Sequence, residues 1–99
     1  MGSVTDSIKN YDDVLASVRR SALSGATATD ILRYLVLECD LQGKAQLMIV
    51  FCKGFGVELR IASCIGGWWH DGSGSLSDDR INELLNPELV RYVASQVQS

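Results

Sequence analysis

Two adjacent tryptophans, Trp68 and Trp69, sit between Gly66-Gly67 and the loop sequence HDGSGS of residues 70–75. This pair restricts the fold more than any other feature of the chain. Neighbouring side chains point in different directions on a helix and on a strand alike, so one indole can enter a core while the other cannot follow it. A tryptophan left outside a core, large and apolar with one polar N–H, is the residue type that anchors interfaces. The glycines on either side mark the segment as a tight connection rather than the middle of an element.

A chain of 99 residues has room for one domain, and 46% apolar with 21% charged residues is ordinary for a globular one. We therefore expect a single domain over residues 1–99. The longest apolar run, LMIVFC at 47–52, is a core segment and far too short to cross a bilayer. The first residues, MGSVTDSIKNYDD, are polar and lack the apolar stretch of a signal peptide, which makes the cytoplasm the expected compartment. Cys39, Cys52 and Cys64 are odd in number and widely spaced in apolar sequence. That pattern reads as reduced thiols used as small hydrophobes, not as a disulfide framework or a zinc site.

Helical spacing is plain at both ends. Ile8, Tyr11, Val14, Leu15, Val18 and Ala22 recur at that spacing, and the pattern stops near Ser24-Gly25. Thr27 or Thr29 then caps a second helix with Ile31, Leu32, Leu35 and Val36 on its inner face, ending near Asp40–Gly43. Towards the C-terminus Ser77 is a good N-cap, Asp78 and Asp79 suit a first turn, and Ile81, Leu84 and Leu85 form an apolar face. Asn86-Pro87-Glu88 reads as the end of that helix and the start of another, with proline at its first position. The middle, residues 46–62, fits either two short helices or a β-hairpin, and periodicity alone does not separate them. The helices around it favour the helical version. The expected fold is all-α, a compact bundle of five or six short helices, with α+β and a central hairpin as the alternative. Its core is expected to include Leu15, Val18, Leu32, Leu35, Met48, Phe51, Leu59, Ile61, Leu84 and Val90.

No strong chemical motif is present. A catalytic reading would use His70 as base, Cys64 as nucleophile and Asp71 or Asp78 as orienting acid, but no nucleophile motif surrounds Cys64. The GSG at 72–74 lacks both glycine-rich phosphate signatures. Asp78, Asp79 and Glu83 lack the alternation of a calcium loop. Basic residues are scattered among acids, unlike a nucleic-acid module. Neither catalysis nor a cofactor or metal is expected. Charge, however, is uneven: residues 71–88 hold five acids against Arg80, a local −4, while residues 1–70 are neutral. Such a surface repels nucleic acid and attracts a basic protein.

The order of features resembles the small bacterial immunity proteins of polymorphic and contact-dependent growth inhibition toxin systems. The similar stretch runs from about Ile8 to Leu89: a leading helix, the ILRYL helix, Phe51 and Phe55 in an F-x-x-x-F segment, IGGWW at 65–69, and SDDRINELLNPEL at 77–89. The resemblance implies a non-catalytic cytoplasmic inhibitor that binds a cognate toxin domain, a monomer that forms a heterodimer. It carries over no binding residues. Those rest on chemistry, and the candidates are Trp68, Trp69, His70, Asp71, Asp78, Asp79 and Glu83, facing a basic partner such as a nuclease. A small regulatory or scaffold domain is the alternative, and a Cys/His-dependent enzyme the less favoured one.

Overall fold

The computed structural model describes Ile8 and residues 10–97; the polar stretch before Ile8, Lys9 and the last two residues lie outside the described residues. Five α-helices follow one another: α1 Tyr11–Leu23, α2 Ala28–Leu37, α3 Lys44–Phe55, α4 Leu59–Ala62 and α5 Asp78–Val97. A short 3₁₀ helix, Ser63–Gly67, continues α4 into the tryptophan pair. The described residues contain no strand, so residues 46–62 take the helical alternative and the domain is all-α. Its Cα radius of gyration, 12.6 Å, matches the roughly 13 Å of a well-packed chain of this length.

Local chemistry accounts for most of the boundaries. Thr27 caps α2 with a reciprocal box: its hydroxyl accepts from Asp30 N at 3.2 Å, and Thr27 N donates to the Asp30 carboxylate at 3.0 Å. Gly56, at φ 70°, takes the left-handed conformation that closes α3, and its N–H donates to Cys52 O. Arg19, reaching across from α1, donates to the carbonyls of Gly54 and Lys53 at the same helix end. Two orphaned carbonyls of α3 are thereby satisfied by a neighbouring helix.

α5 corrects the sequence reading. It does not break at Asn86-Pro87 but runs through, with Pro87 inside it. Proline removes one N–H, the one that would bond Glu83 O, and both residues lie on the exposed face, where a freed carbonyl is open to solvent. Asn86 is not a cap of its own helix either. Its side-chain oxygen accepts from Ala28 N at 2.8 Å, and Asn82, one turn earlier, accepts from Thr29 N at 3.0 Å while donating to the Thr29 hydroxyl. The two asparagines of α5 therefore cap α2 from the side. Together with Thr27 they satisfy the first three N–H groups of α2.

The core gathers α1, α2, α3 and α5 around Val18, Leu32, Leu35, Leu47, Phe51, Ile81 and Leu85. Phe51 meets Phe55 edge to face at 5.4 Å, and Phe55 meets Tyr92 at 5.2 Å. Of the residues expected here, Leu15, Val18, Leu32, Leu35 and Phe51 are buried, whereas Met48, Ile61 and Leu84 are partly so. Leu59 and Val90 are not core: they are 66% and 67% exposed. In α5 the inward stripe is Ile81, Leu85 and Leu89, four apart, so Val90 stands a further 100° round the helix. Around α4 the inward positions fall to Val57, Ala62 and Ile65 instead.

Leu35→Ala or Phe51→Ala should each cost about 2–5 kcal/mol in chemical denaturation. Leu59→Ala and Val90→Ala should stay within about 0.5 kcal/mol of the parent, as surface changes do.

Candidate functional site

The 3₁₀ helix delivers Trp68 inward and Trp69 sideways. Trp68 is fully buried, and its indole N–H donates to Asp78 Oδ1 at 2.8 Å. The other oxygen of Asp78 receives Arg33 of α2 at 2.5 Å, and the Arg33 guanidinium also lies 5.6 Å from the centre of the Trp68 ring. Three elements meet in this contact: the tryptophan turn, the start of α5 and the middle of α2. Trp68 is thus a structural post and cannot anchor a partner. Asp78, spent on Trp68 and Arg33, does not offer a free charge.

The loop between Trp69 and Ser77 is folded back on the glycine pair. Leu76 N donates to Gly67 O at 2.7 Å, Gly72 N to Trp69 O, and Ser73 N to the Asp71 carboxylate at 2.9 Å. Gly74 presses on the tryptophan backbone so closely that a Cβ there would stand 2.5 Å from Gly67 O and 2.8 Å from Trp69 N. Only glycine fits. Lys44, at the start of α3, donates to Gly66 O at 2.8 Å and holds the turn from the other side. A segment that reads as a flexible Gly/Ser loop is, in the fold, closely tied to the turn it follows.

Trp69 is half-buried and meets His70 edge to face at 5.1 Å. Asp71 and Asp79 are exposed nearby, and a polar hollow runs between His70, Asp71, Ser75, Ser77, Asp78 and Asp79. Ser77 caps α5, accepting from Arg80 N at 3.2 Å, as its position beside two acids suggests. Asp79 and Glu83 share an exposed face, but Glu83 is paired with Arg80 at 3.1 Å. The structure therefore brings His70, Asp71 and Asp79 to one hollow, sets Trp69 against His70 in a separate hollow with Gln42, Lys44, Ser73 and Gly74, places Glu83 a turn away with a partner, buries Trp68 and pairs Asp78 with Arg33. Arg33, distant in sequence, adds a positive charge that a count along residues 71–88 misses.

Comparison with family models, curated proteins and solved structures gives no match. The chemistry of the site is thus judged on its own residues. Among the described residues, no three His, Cys, Asp or Glu side chains converge as a cation cage requires. Burial raises the thiols of Cys52 and Cys64 above their ordinary range, which keeps both protonated and poorly nucleophilic near neutral pH. No hydrogen bond joins Cys64 to His70 among the described residues, and His70 contacts the Trp69 ring instead. No helix of the described residues is long and apolar enough to cross a membrane.

The hydrogen bond from Trp68, and then Arg33, hold the Asp78 carboxyl below its ordinary range. A depressed folded pKa stabilises the fold above the unfolded value and loses that contribution as pH falls through the folded one. Asp78→Ala, which strands a buried indole N–H, should cost about 1–3 kcal/mol at pH 7. Asp78→Asn keeps an acceptor but loses the charge and should cost less. The gap between parent and Asp78→Asn should narrow from about pH 3.9 downward and close below the depressed folded value. Urea melts of the three proteins across that range check both the ranking and the sign.

Proposed function

We propose that the chain is a non-catalytic immunity protein that binds a basic toxin domain, most simply a nuclease, and covers its active site. The observation that carries this reading is the surface at Trp69. A half-buried indole meets His70 edge to face, and His70 in turn lines a polar hollow with the exposed carboxylates of Asp71 and Asp79, while Lys44 lines the hollow on the indole's own side. An acidic hollow with an aromatic side chain next to its His70 wall suits a basic, phosphate-binding active site. Complementary charge speeds capture, and the anchor slows release. A preformed surface also avoids the ordering cost that a mobile loop would add on binding. The protonated, shielded thiols and the contact that occupies His70 support binding over catalysis.

The contribution of each group follows from its surroundings. Asp79 supplies long-range attraction. Glu83 supplies less, because Arg80 lies on the same stretch of helix, and Asp78 supplies little because Arg33 neutralises it. The exposed Arg80–Glu83 pair itself contributes little to stability, so altering it leaves the fold intact.

The test is binding to the product of the neighbouring gene, followed by stopped flow at several salt concentrations. Asp79→Lys with Glu83→Lys should slow association and remove most of its salt dependence, with the thermal midpoint little changed. Trp69→Ala should instead speed dissociation by roughly thirtyfold, a hot-spot loss of about 2 kcal/mol. Unchanged rates and salt slope in both variants would place the interface elsewhere and sink this reading.

A further inference from the structure

We infer that the partner meets this surface with charges of both signs: basic side chains against Asp71 and Asp79, and an acidic side chain against Lys44. The inference rests on the proposed function and deepens it by naming what the partner must carry. Two hollows share Gly74, and the Trp69–His70 ring contact joins their walls. One holds His70, Asp71, Asp78 and Asp79, with Arg33 set against Asp78. The other, of about 290 Å³, has the Trp69 indole on one side and Lys44 on another. Of the described residues that line it, Lys44 alone is charged.

Lys44 is exposed, and its ammonium donates to Gly66 O at 2.8 Å. A carbonyl fixes that group without neutralising it, and an ammonium keeps two further donors. Among the described residues no ion pair involves Lys44, and the first turn of α3 contains no acid. Two acids touch the wall of this hollow: Gln42 Nε2 donates to Asp40 at 3.1 Å, and Ser73 N donates to Asp71 at 2.9 Å. Neither is paired with Lys44. A tethered, unneutralised ammonium beside an indole fits a carboxylate on a short apolar stem. The stem covers the ring, and the carboxylate takes the remaining donors. The tether also lowers the ordering cost that a free lysine would add on binding.

A phosphate-cleaving site supplies both signs, because carboxylates that hold its metal ions lie among the cations that hold phosphate. A cover of purely negative charge would bury those carboxylates without a partner, at a large cost. Lys44 removes that cost. Opposite charges on the two sides of one aromatic pair also fix the register, since a partner turned end for end meets like charge at both hollows.

Lys44→Glu separates this inference from a partner that is basic throughout, because the two predict opposite signs. Against a wholly basic surface the added acid tightens binding. Against an acid at Lys44 it should raise the dissociation constant at least about tenfold, chiefly through faster dissociation. Stopped flow with the product of the neighbouring gene reads both. Lys44→Gln keeps a donor for Gly66 O but loses the charge, so it should melt near the parent temperature and still bind more weakly. Lys44→Arg keeps both charge and donor and should bind within about twofold of the parent. Unchanged or tighter binding in Lys44→Glu overturns the inference, as does parental binding in Lys44→Gln. An equal loss in Lys44→Arg overturns it too, because charge is then not the cause. If Asp79→Lys with Glu83→Lys moves the salt slope while Lys44→Glu does not weaken binding, this inference alone falls. If neither changes anything, the proposed function falls with it.

Discussion

A buried indole N–H must find an acceptor, and among the described residues the Trp68 indole finds Asp78. That requirement ties the tryptophan turn to the start of α5. Trp68 is fully enclosed, so an unpaired N–H there would carry the full desolvation penalty of a polar group. Asp78 meets the need from the first turn of α5, and Arg33 then balances the charge that Asp78 brings to the edge of the core. The tryptophan turn, the start of α5 and the middle of α2 are thus fixed to one another by one carboxylate. Around it, Gly74 and the Gly67 carbonyl shape the loop, while Asn82 and Asn86 carry α5 onto the buried start of α2. Two separate sets of polar contacts hold the α2–α5 pair, one at each end of its overlap.

The same contact decides which groups remain for binding. Trp69, one residue on, stays half-buried against the core and meets His70, which lines the hollow that holds Asp71 and Asp79. Electrostatic attraction from this surface rests mainly on Asp71 and Asp79. Screening over about 8 Å at physiological salt limits what more distant acids add.

Much of this was legible in the residues themselves. The stripes of α1 and α2, the Thr27 and Ser77 caps and the division of labour between the two tryptophans follow from spacing and local chemistry. What escaped was every contact made across the fold. Asn86-Pro87 carries a strong local signal for a new helix, yet α5 runs through it because the proline faces solvent and Asn86 serves α2. Asp78 looked like a surface charge because Arg33, its partner, lies 45 positions away. Gly74 looked like flexibility because nothing local reveals that a backbone passes 2.5 Å from its missing Cβ. Leu59 and Val90 were misplaced for a simpler reason: each neighbours an inward position, and in short or long helices alike a one-residue error turns a side chain by 100°.

Hydrogen exchange of the two indole N–H groups, followed by NMR at neutral pH, tests the central claim most directly. The Trp68 indole should exchange only with global unfolding, at the rate of the slowest core amides, while the Trp69 indole exchanges freely. In Asp78→Ala the Trp68 protection should fall by orders of magnitude, with the core amides of α1 and α3 losing no more than the global stability change. Two indoles that exchange alike, or a Trp68 signal indifferent to the loss of Asp78, would contradict the account.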